Sequence, residues 1–118
     1  MLKEKVQAFC ETEENCARIL LLAAAEEYKL SVSEDILSAC SGISSGFGVG
    51  SICSALVAAV MVLGLLYEDG AKEKRLLLLY RVQERLGSLN CGRLSAMGED
   101  CRLILEEIAE ILQEIIEE

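Results

Sequence analysis

Six cysteines and no histidine stand in this chain of 118 residues, so its chemistry, if it has any, is sulfur chemistry. Without imidazole, Cys-His nucleophilic catalysis, histidine acid–base steps and mixed Cys/His zinc sites are excluded. Four of the cysteines follow a residue suited to cap a helix by one or two positions: Asn15-Cys16, Ser51-Ile52-Cys53, Asn90-Cys91 and Asp100-Cys101. A helix start presents unpaired N–H groups and the positive end of a dipole, which favours thiolate over thiol. These four thiols are therefore expected to ionise more readily than an ordinary cysteine. Cys53 should be affected most, because a glycine-rich loop leaves its backbone donors free.

Four such thiolates suit a dithiol/disulfide couple or electron transfer. They suit equally an iron–sulfur cluster or another soft metal held by sulfur. Cys16, Cys53, Cys91 and Cys101 are thus the candidates for catalytic, cofactor-binding and metal-ligating roles alike. No Cys-x-x-Cys pair occurs, so a metal would need four separate segments to converge. A helical interaction protein with cysteines used only for packing is a further alternative. Cys10 and Cys40 read as small buried hydrophobes, and Cys10→Ser is expected to disturb neither redox cycling nor metal binding. Cys53→Ser is expected to abolish either one while leaving helix content intact.

These thiols must be positioned by helices. Proline is absent and aromatics make up 4% of the chain. Residues 41–66 are the organising stretch: a loop with Gly42, Gly46, Gly48 and Gly50, then an apolar run that must be buried. Ser51 is placed as the cap of this core helix, 51–67, with Cys53 in its first turn. Before it lie a short amphipathic helix over 2–11, a helix over 16–29 capped by Asn15, and one from Ser33 to about 42. After it, helices are expected over 71–86, stopped by Gly87, and over 91–96. The last begins at Cys101 behind a Gly98-Glu99-Asp100 cap. Its apolar stripe is Cys101, Ile104, Leu105, Ile108, Ile111, Leu112 and Ile115. Glu106, Glu107, Glu110 and Glu114 take the opposite face.

The expected architecture is an all-α antiparallel bundle of five to six helices around a buried central helix, forming a single domain over 1–118. Short connections make consecutive long helices antiparallel. Cys16, Cys53 and Cys101 then begin helices of one direction, while Cys40 and Cys91 lie at the ends of opposed ones. The sulfurs should gather at one end of the bundle, at least as two pairs with Cα atoms within about 7 Å.

In their order along the chain, these segments resemble the C_GCAxxG_C_C family of small proteins regarded as redox-active. The resemblance rests on Asn15-Cys16-Ala17, the glycine-rich loop, Cys53-Ser54-Ala55, Val62-Leu63-Gly64-Leu65, Gly87-Ser88-Leu89-Asn90-Cys91 and Cys101. It covers nearly the whole chain from Asn15 onward, and implies redox activity with Cys16, Cys53, Cys91 and Cys101 as the family cysteines. Around Cys53-Ser54-Ala55-Leu56-Val57-Ala58 both glycines of the family's motif are replaced.

The remaining composition limits partners and place. A net charge of −9 argues against nucleic acid. The apolar run over 52–67 falls short of the about 20 residues a membrane span needs. Residues 1–15 carry no apolar signal region, and a cytoplasmic location is expected. A hydrophobic fraction of 53% is high for so small an interior. With four consecutive leucines over 76–79, it points to a homodimer, alongside a redox partner of unknown identity.

Overall fold

In the structure, a computed structural model, residues 1–96 and 101–118 are described, excepting the side chains of 95 and 96. The expected Gly98-Glu99-Asp100 cap lies outside the described residues. Seven α-helices occur among them: α1 (Leu2–Phe9), α2 (Cys16–Tyr28), α3 (Glu34–Ala39), α4 (Ser54–Leu66), α5 (Ala71–Leu86), α6 (Cys91–Ala96) and α7 (Cys101–Glu117). The architecture is an all-α bundle, with no strand among the described residues.

Local chemistry sets several boundaries. Asn15 Oδ1 accepts from the Arg18 N–H at 3.0 Å and Ser33 Oγ from the Ile36 N–H at 3.2 Å, each satisfying a donor that α2 or α3 would otherwise leave open. Gly87 ends α5 at φ 83°, and its N–H closes onto the Gln83 carbonyl at 2.9 Å. α2 and α4 pack on each other most extensively. α7 lies against α1, α2, α4 and α5. Leu20, Leu56, Leu63, Leu78, Leu105, Ile108 and Ile111 are fully buried where these helices meet.

Three expectations change. The core helix begins at Ser54, three residues later than Ser51, because residues 51–53 are drawn into pairing with 89–91. It is enclosed at Ser54, Ala55, Leu56, Ala58 and Ala59, yet Leu65 is 54% exposed, so α4 is central at its N-terminal half and open at its C-terminal end. Glu106 does not join the solvent face of α7. It is 8% exposed and accepts a hydrogen bond from Gln7 of α1. Glu107, Glu110 and Glu114 do face outward, and all three pair with Arg85 of α5.

Candidate functional site

The glycine-rich loop builds the site. Residues 46–50 make one wide turn, closed by the Ser51 N–H on the Gly46 carbonyl at 3.0 Å. Gly46 has φ +61°, and a Cβ there would stand 2.5 Å from the Ser51 backbone nitrogen, so no other residue fits. Ser45 and Phe47 also take left-handed backbone angles, a strained arrangement for side chains of their kind.

The chain leaving this turn pairs with the segment before α6. Ile52 and Asn90 form an isolated antiparallel bridge. The Cys91 N–H donates to the Ser51 carbonyl at 2.6 Å, and the Cys53 N–H to the Leu89 carbonyl at 2.9 Å. Two cysteine segments 38 residues apart (53 to 91) are thereby tied backbone to backbone. Close approach is allowed by Gly92, whose added Cβ would meet the Gly50 carbonyl oxygen at 3.2 Å. Ser51 is consequently not the cap of α4. Cys53 occupies the cap position itself.

Cys16 arrives from the other side, in the first turn of α2. Asn15 serves twice there, capping α2 with its oxygen and donating from Nδ2 to the Cys40 carbonyl at 3.1 Å. α7 brings Cys101 at its first residue. Cys16, Cys53, Cys91 and Cys101 all line one pocket of about 230 Å³, together with Glu14, Ser44, Ser45, Leu94 and Ile104 among others. Cys53 is buried, Cys16 and Cys91 are half-buried and Cys101 is exposed, so the sulfurs run from interior to surface. Cys40 lies at the same end of the bundle but is buried, its thiol directed to the Ile36 carbonyl at 3.6 Å. Cys10 is half-buried, in a neighbouring groove. All six thiols are free.

The electrostatics of Cys16 and Cys53 reverse the expectation of easy ionisation. Burial pushes the Cys16 thiol from 9.0 up to about 12. The sulfurs of Cys101, Cys53, Cys10 and Cys91 push the same way, in falling order. Burial also raises Cys53, although the N–H groups of Ala55 and Leu56 bond its sulfur and oppose the rise. A helix dipole is worth about 0.3–1 kcal/mol, whereas even a tenfold change in acidity corresponds to about 1.4 kcal/mol. Desolvation in an apolar pocket therefore wins. Among sulfurs, Cys101 weighs most on Cys16 and Cys91 most on Cys53.

Among the described residues no group of three or more cysteine or carboxylate side chains is arranged to hold a metal ion. No helix of the described residues is long and apolar enough to cross a membrane. The carboxylate of Glu14, at the pocket wall, escaped sequence reasoning. Its only signal was its place next to the Asn15 cap.

No curated protein and no solved structure matches the chain. A family model described as "Putative redox-active protein (C_GCAxxG_C_C)" matches residues 14–115, which takes in five of the six cysteines and leaves out Cys10. With this match over most of its length, and four free thiols meeting in one pocket behind a glycine-built turn, the chain belongs to the C_GCAxxG_C_C family.

Proposed function

We propose that this protein is a thiol carrier with two two-electron couples, Cys16–Cys101 and Cys53–Cys91. The observation that carries the proposal is the convergence of four free cysteines from four separate segments on one pocket. The pairing follows the backbone tie between the Cys53 and Cys91 segments and the two adjoining spaces that Cys16 and Cys101 line together. In oxidation, the exposed Cys101 thiolate attacks an external disulfide and forms a mixed disulfide, releasing one thiolate. Cys16 then attacks the Cys101 sulfur, releases the second thiolate and yields its proton to solvent, so two protein thiols become one disulfide as one external disulfide becomes two thiols.

The high proton affinity of Cys16 keeps that thiol protonated, which makes Cys16 a slow nucleophile and leaves the first attack to Cys101. Free thiols suit a reducing, cytoplasmic setting. We further propose that two copies associate through α5, where Leu76 is 65% and Tyr80 62% exposed one turn apart.

Thiol counting after treatment with glutathione disulfide tests the proposal. Four thiols should be lost reversibly from the wild type and two from Cys53→Ser, with helix content unchanged. An unchanged thiol count overturns it. So does stoichiometric iron and sulfide in protein purified without oxygen, which would assign the same sulfurs to a cluster.

A further inference from the structure

Cys10 lies outside the family match, and its place in the bundle is fixed by the packing of α1 on α7. Three polar ties set an antiparallel register between these helices. The Leu2 N–H donates to Gln113 Oε1 at 2.6 Å, Lys3 pairs with Glu110 at 3.6 Å, and Gln7 donates to Glu106. Carried on by less than one turn, that register sets Cys10, at the end of α1, beside the first turn of α7. A groove confirms the meeting, since Cys10, Cys16, Cys101 and Arg102 line it together. Cys16 and Cys101 line both this groove and the four-cysteine pocket, so the two spaces share a wall of sulfur.

We propose that Cys10 is a fifth working thiol, which exchanges with the Cys16–Cys101 disulfide to give a Cys10–Cys101 disulfide in the outer groove. The proposal rests on the dithiol function put forward above and adds the route by which oxidation reaches the surface. The Cys10 thiolate attacks the Cys101 sulfur. The Cys10–Cys101 bond forms as the Cys16–Cys101 bond breaks, and Cys16 departs with the electron pair and takes up the proton that Cys10 gave to solvent. No net electrons are consumed. The oxidising equivalents are those already supplied by the external disulfide.

Two features suit the residues to this exchange. Burial raises the Cys10 thiol on balance, and the Arg102 guanidinium, which stands beside Cys10 and bonds its sulfur, opposes that rise and supports the thiolate during attack. Cys16, once released, is held as a thiol by the same desolvation that raises it, so it attacks back slowly. A sulfur of high proton affinity also leaves slowly, which makes the transfer gradual.

The full-length protein, oxidised with glutathione disulfide and quenched with iodoacetamide over time, provides the test. Cleavage after glutamate separates Cys10 from Cys16, because Glu11, Glu13 and Glu14 lie between them. Mass spectrometry should find the Cys16–Cys101 link first and the Cys10–Cys101 link growing as it declines. Arg102→Gln should slow the second phase by about tenfold while leaving the first unchanged, and Cys10→Ser should abolish the second phase alone. If disulfides form but Cys10 stays fully alkylated in the wild type, the inference is overturned and the dithiol function stands. If no cysteine forms a disulfide, both fall.

Discussion

At the scale of single residues, Cys16 shows how burial overrides position. A cysteine in the first turn of a helix is the standard setting for an acidic thiol, yet this one is raised to about 12. The linkage has a definite sign. A thiol that is harder to ionise in the folded state binds its proton more tightly there, so its stabilisation is complete below the unfolded value of 9.0. It is lost as pH rises from 9.0 towards 12. Over that window Cys16 should contribute a loss of about 1.4 kcal/mol for each step of one in pH. Thermal melts of the reduced protein at pH 8 and pH 10 should differ by that amount more in the wild type than in Cys16→Ser. Equal pH dependence of the two proteins would show that Cys16 is solvated.

At the scale of elements, the 46–50 turn and the 51–53 segment decide where the sulfurs stand. Gly46→Ala forces a Cβ to 2.5 Å from a backbone nitrogen at positive φ, and there is no side chain to move aside. We expect a stability loss of at least about 2 kcal/mol. Cys53 and Cys91 should become alkylated together as their backbone tie fails. A variant as stable as the wild type would mean that the turn relaxes freely. Most helices were legible in the sequence because caps and apolar periodicity are local signals: Asn15, Ser33 and Gly87 act as their residue types predict. What escaped were contacts between distant segments. Nothing near Ser51 announces that its carbonyl will bind the Cys91 N–H, which shifts the start of α4 to Ser54. Nor does the acidic face of α7 reveal that Glu106 turns towards Gln7. The convergence of cysteines could be anticipated from helix direction alone, but the raised thiols of Cys16 and Cys53 could not, because desolvation depends on the finished pocket.

At the scale of the whole molecule, a bundle 34 × 29 × 24 Å across sets its cysteines on a gradient from interior to surface, as the proposed storage inside and delivery outside would require. The sulfurs follow that gradient, from buried Cys53 to exposed Cys101. The apolar surface left on α5 is the proposed place for a second copy, and Leu76→Glu with Tyr80→Lys should shift sedimentation from dimer to monomer at micromolar concentration without altering the melt. A wild type that sediments only as monomer would rule the dimer out. The central claim, that the clustered thiols form two-electron couples, is tested most directly by equilibrating the protein in glutathione redox buffers and counting trapped thiols at each potential. Thiols should be lost in steps of two, with each tenfold change in the ratio of disulfide to dithiol spanning about 30 mV. A thiol count that stays at six across the whole range would contradict the claim.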